Sequence, residues 1–152
     1  MKVNYDEKYF HKQQGLKECW FACFLMVRDM VKQEVSDYQK AKTLLIANKS
    51  VANQSFTNGL NDWDLRDLLR DQVDTHYTIG SVSEVNSIVA GLGSGYPVII
   101  GLDTSSNGGH YCVVIGVDST NNKLTIVDPN SVDGASHKMD LPNSGVILYY
   151  KK

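Results

Sequence analysis

Residues 1–14 are polar and show no periodicity, and the pattern changes at Cys19. From there Trp20, Cys23, Phe24, Val27, Met30 and Val31 recur at intervals of three and four, the spacing of one helical face. Phe21, Leu25 and Met26 fill the remaining faces, so the spacing predicts a central, buried helix starting near Glu18. Ser36 or Asp37 supplies a side-chain cap for a second helix reaching Ile46 or Ala47. The polar stretch 48–58 predicts a loop. Asn61 and Asp62 open a third helix with Leu65, Leu68 and Leu69 on one face. Ser83 with Asn86 opens a fourth, which carries Val85, Ile88 and Val89 and ends in the glycine-rich run 91–95.

The second half of the chain reads differently. Short β-branched and aromatic runs stand at 97–101, 111–117, 123–127 and 146–150, separated by turn-rich segments at 104–109, 118–122 and 130–134. Asn121-Asn122 between two such runs predicts a hairpin turn. Helices followed by an antiparallel meander make the fold class α+β. The expected organisation is one domain over 1–152, with a helical part at about 15–95 and a β part at about 96–152.

Composition narrows the function classes. A chain of 152 residues with 42% hydrophobic and 21% charged positions has the make-up of a soluble globular domain. Lys and Arg number 15 against 17 Asp and Glu, so no basic excess points to nucleic acid or to an anionic membrane surface. Three cysteines, Cys19, Cys23 and Cys112, cannot close a disulfide framework, and no C-x-x-C pair suggests zinc. Neither a metal nor a cofactor is expected. The N-terminal segment has no apolar leader, and no run approaches the ~18 apolar residues of a membrane span. The expectation is a protein cytoplasmic as synthesised, with delivery or secretion by a leaderless route left open.

Four positions carry candidate chemistry. Cys19 sits where the first helix begins, facing unpaired N–H groups and the positive end of the helix dipole. That setting, with a histidine nearby, can bring a thiol from ~8.5 into the range ~3.5–7.5, where it is a nucleophile. The competing reading is a thiol packed as a small hydrophobe. Gln13, six residues upstream, offers a side-chain amide to an oxyanion, and Gly15 lets the loop turn back toward the helix. His110 opens an apolar strand behind Gly108-Gly109 and can exchange a proton with a thiol. Asp128 ends the next strand before Pro129, and a hairpin makes it the cross-strand neighbour of His110. Cys23 is assigned to core packing and to the part of reserve nucleophile, and Cys112 to the strand interior.

Gln13 with Cys19-Trp20 at a helix start, then Gly109-His110-Tyr111 opening a strand, then Asp128-Pro129 ending the next, resembles the papain-like cysteine peptidase superfamily. The resemblance spans about residues 10 to 130. It is strongest to compact bacterial forms: the peptidase domains of bacteriocin-exporting transporters and small papain-like effector proteases. It implies a helical lobe with a central Cys-bearing helix packed on an antiparallel sheet. It also implies Cys19 as nucleophile, His110 as base and acid, Asp128 as orienter, and Gln13 with the Cys19 N–H as oxyanion donors. Glu18-Cys19-Trp20 is a reduced form of the plant-type signature, the Cys-to-His spacing falls short of the plant-type ~130–150 residues, and Asp replaces Asn as orienter. The implied activity is hydrolysis of a peptide bond in a protein or peptide substrate. Amidase, deamidase and acyl transferase chemistry use the same triad, and a non-catalytic peptide-binding module is the remaining alternative. A proregion-free form resembles effector toxins acting in a target-cell cytosol, which implies a separate inhibitor or immunity protein covering the cleft.

Overall fold

A computed structural model describes residues 1–104 and 109–152. Gly108 and most of the predicted 104–109 turn segment lie outside the described residues. A helix, α1, runs Cys19–Lys32, and every residue from Cys19 to Val27 is buried. Fully burying side chains such as Phe24, Leu25 and Met26 contributes ~1.5–3 kcal/mol each, so this helix forms the centre of the core. Asp37 caps α2 (Tyr38–Ala47) by accepting from the Lys40 N–H, and Asn61 caps α4 (Asp62–Gln72) by accepting from the Asp64 N–H. Between them lies one short turn of helix, α3 (Ser55–Asn58), and α5 spans Val85–Gly93.

Among the described residues, six strands form one antiparallel sheet in the order β1-β6-β2-β3-β4-β5. They are β1 (Tyr77–Ser81), β2 (Val98–Leu102), β3 (His110–Asp118), β4 (Lys123–Val127), β5 (His137–Asp140) and β6 (Val146–Tyr150). The α1 helix packs on β3, which puts the start of the helix beside the start of the strand. The fold is α+β. Among the described residues, no helix is long and apolar enough to cross a membrane.

Three elements depart from the sequence expectation. The strand β1 stands between α4 and α5, where a mixed polar run had no strand signal, because pairing with β6 supplies its order. The strand β5 is an edge strand with mostly exposed side chains, so it has no apolar alternation to read. The loop at 48–58 ends in α3, whose Phe56 is buried against Trp20 with ring centroids 4.9 Å apart. The sheet is also more than a meander, since β6 returns to lie between β1 and β2.

Candidate active site

Cys19 is the first residue of α1, and Glu18 at the N-cap makes no side-chain capping bond. The partial positive charge of the helix start faces the thiol. Cys19 is buried, and its Sγ makes a long contact of 3.9 Å to the Gly109 carbonyl oxygen, immediately before His110. Cys23, one turn on, is fully buried; burial pushes its thiol well above the ordinary value, which keeps it protonated and inert.

His110 and Asp128 meet as the hairpin predicts, with the ring Nε2 2.9 Å from Asp128 Oδ1. Asp128 is further ordered by accepting from the Asn130 N–H at 2.9 Å. The register corrects one detail. Val113 pairs with Val127, so one step further Cys112 stands opposite Asp128, and His110 is the diagonal neighbour. A long side chain spans that diagonal. Cys112, two residues beyond His110 on the strand, shares its face. It is therefore part of the site rather than plain strand interior. The signal was present in the sequence as a spacing of two from the histidine.

The imidazole consequently has two thiols and a carboxylate around it. It is pushed up from its ordinary 6.5 to about 11, first by hydrogen bonding with Cys112, then with Cys19, against the opposing effect of burial, with Asp128 adding to the rise. With Nε2 committed to Asp128, Nδ1 is the nitrogen left for a thiol proton. Burial is also what raises the Cys112 thiol, while hydrogen bonding to His110 pulls it the other way.

Gln13 is tied to the same corner through its backbone, whose N–H donates to the Pro129 carbonyl at 2.8 Å. Its Nε2 donates to the carbonyls of Gly15 at 3.0 Å and Leu16 at 3.3 Å, closing the turn before Cys19. Its buried Oε1 finds no partner among the described residues. A Cβ at Gly15 would stand 2.5 Å from Glu18 Oε2, so an alanine there needs the Glu18 side chain to shift. That carboxylate, overlooked in the sequence, is buried beside the thiol and accepts from Tyr38 Oη at 2.7 Å and Lys42 Nζ at 3.1 Å. Nothing in the local pattern marked Glu18 apart from an acidic residue standing directly before an apolar helix.

A narrow cleft opens beside Cys19, lined by Lys17, Gly59, Leu60, Thr104, Gly109 and Tyr111. Gly59 and Leu60 wall its helical side. Behind it Tyr111 Oη donates to Asp62 Oδ1 at 2.8 Å and to the Leu60 carbonyl at 3.1 Å, and Thr104 Oγ1 also donates to Asp62. Asp62, expected only as a helix opener, is thus a buried brace for the cleft wall.

Residues 4–152 match the model of the Peptidase_C39 like family. The chain belongs to that family. The solved structures similar to this C39-like chain agree with the fold. A protein described as a C39-like peptidase from Bacillus anthracis superposes with a TM-score of 0.65 at 15% identity, covering 100% of this chain and 98% of that one. The peptidase domain of Streptococcus ComA, a bifunctional ABC transporter of a quorum-sensing pathway, gives 0.56 at 19% identity over 93% and 97%. The peptidase domain of Streptococcus mutans ComA gives 0.52 at 14% identity over 95% and 99%. These likenesses establish the compact papain-like fold of the C39 type for this chain. No curated protein matches it.

Proposed function

We propose that this C39-like protein is a cysteine peptidase that hydrolyses a peptide bond in a protein or peptide substrate. The observation that carries the reading is the imidazole of His110, held by Asp128 at 2.9 Å and adjoining the thiol at the start of α1. Nδ1 of His110 takes the Cys19 proton, and the sulfur attacks the scissile carbonyl carbon. The oxyanion so formed is held by the Cys19 N–H and by one Gln13 Nε2 hydrogen, which leaves its carbonyl partner in the turn to do so. The imidazolium then gives its proton to the leaving amine nitrogen, leaving a thioester on Cys19. Water, deprotonated by His110, attacks the thioester carbon and releases the carboxylate and the thiol. Asp128 keeps one tautomer in place and stabilises the imidazolium.

Mapping of new protein termini after expression of wild type and Cys19→Ala tests this. New termini present only with wild type support the peptidase. Gln-to-Glu conversion or acyl transfer without new termini replaces it with the deamidase or transferase alternative, and no chemical difference between the two samples favours the binding module. Action as an effector toxin in a target-cell cytosol, under the control of an inhibitor protein seated over the cleft, belongs to the same reading and rests on the resemblance. Growth arrest on cytosolic expression that persists in Cys19→Ala counts against it.

A further inference from the structure

Cys112 takes no part in the reaction just described, yet its sulfur lies beside both members of the His110–Asp128 pair. We propose that His110, Cys112 and Asp128 form a Zn²⁺ site through which the ion shuts the enzyme off. The binding stands on the geometry alone, whereas the inhibition rests on the function proposed above.

One donor atom from each of the three residues lies within 4.8 Å of the other two. Imidazole, thiolate and carboxylate are ligand types that Zn²⁺ accepts, at bond lengths of ~2.0–2.3 Å. Tetrahedral geometry at those lengths separates donors by ~3.3–3.8 Å, so no pair need close by more than about 1.5 Å. Rotation of partly exposed side chains supplies this, since His110 is 40% and Asp128 34% exposed. Cys112 is buried and forms the fixed wall of the site. All three ligands stand on the β3–β4 hairpin or its immediate end, with Cys112 opposite Asp128 in register. That backbone holds its shape while the side chains turn.

The donor chemistry selects the ion. A thiolate disfavours Mg²⁺ and Ca²⁺, which take oxygen ligands, and suits Zn²⁺. Binding exchanges protons for the metal: the Cys112 S–H bond and the N–H bond of the coordinating His110 nitrogen break, sulfur–zinc and nitrogen–zinc bonds form, and both protons leave to solvent. Water or the Cys19 thiolate completes the fourth position. With the ion on either ring nitrogen, His110 is a weaker base toward the Cys19 proton, so zinc occupancy opposes turnover.

Co²⁺, which reports thiolate ligation by charge-transfer absorption, is the probe. Titrated into Cys19→Ala, it should produce that absorption, and Zn²⁺ should displace it. Cys112→Ser, with folding checked by near-ultraviolet circular dichroism, should lose the absorption. Losing an outer partner of a zinc ligand weakens binding ~10–100-fold, so Zn²⁺ affinity should fall by at least about 10-fold when Cys112 itself is removed. His110→Ala, which keeps every thiol, should lose affinity to the same degree and serves if Cys112→Ser does not fold. In turnover assays normalised to each variant's own metal-free rate, half-inhibition by Zn²⁺ should shift to higher concentration in Cys112→Ser. Absorption that survives in Cys112→Ser, or vanishes in Cys19→Ala, places the ion on Cys19 and overturns the assignment. An active enzyme that binds no Co²⁺ overturns it too. Metal binding as described in a protein that hydrolyses nothing sinks the proposed function and leaves the site standing.

Discussion

Gly109→Ala isolates how tightly the chain positions His110. A methyl group at this position would sit 2.5 Å from the Asp103 carbonyl oxygen and closer still to that of Leu102. Carbon–oxygen contacts in proteins close to ~3.3 Å, so the strand start or its neighbour must move by about 0.8 Å or more. Both obstacles are backbone atoms, so no side-chain rotation relieves the clash. Because Gly109 directly precedes His110 and its carbonyl meets Cys19 Sγ, the displacement passes straight into the thiol–imidazole pair. A misplacement of ~1 Å costs about 10²-fold in rate, and overpacking costs ~1–3 kcal/mol in stability. For a chain of this size that corresponds to a melting temperature lower by about 2–12 °C. The assay is the rate of alkylation of Cys19 by iodoacetamide, followed by mass spectrometry with Cys23 and Cys112 as internal controls, alongside thermal melting. Wild type should label Cys19 far faster than the other two, and Gly109→Ala should lose most of that preference while retaining a cooperative melt. Wild-type labelling at an unchanged melting temperature would show that this glycine does not set the position of the imidazole.

The raised His110 value has a sign that can be checked. The protonated ring is favoured in the folded protein, so its contribution to stability is complete below the ordinary ~6.5 and fades as pH climbs through the raised value. The alkaline limb of kcat/KM should accordingly lie well above ~6.5, and Asp128→Asn, which removes one upward contribution, should move that limb to lower pH; an unmoved limb refutes the assignment of Asp128. Gln13→Ala should lower kcat by ~10²–10³-fold with a smaller change in KM, measured on the substrate that terminus mapping identifies. Away from the chemistry, Asp29 is fully buried on α1 and receives His11 Nε2 at 2.7 Å, Ser36 Oγ at 2.6 Å and the Ser36 N–H at 2.9 Å. Asp29→Ala strands those donors and should cost ~3–5 kcal/mol in chemical denaturation.

What the sequence disclosed follows the physics of each segment. The α1 helix was legible because its apolar residues repeat over several turns, and β4 because an apolar run ends at turn residues on both sides. The His110–Asp128 contact was legible because a hairpin brings the start of one strand to the end of the next. Its diagonal character was not, since register depends on the irregularity between Val114 and Gly116, which leaves no mark in the pattern. The bonds that Gln13 makes to its own turn were equally hidden, because the choice between carbonyl partners is made by folded geometry. Asp62 and Glu18 looked like helix openers, and only their partners from distant elements, Tyr111 with Thr104 and Tyr38 with Lys42, turn them into buried braces.

The place of β6 in the sheet has a consequence for how the protein is made. During synthesis, the segments bearing Cys19, His110 and Asp128 all leave the ribosome before Val146–Tyr150 does. Until then β1 lacks the strand it pairs with among the described residues, and β2 presents an open edge toward the gap. The nascent chain thus carries these reactive groups on an unfinished scaffold until β6 emerges and joins β1 to β2.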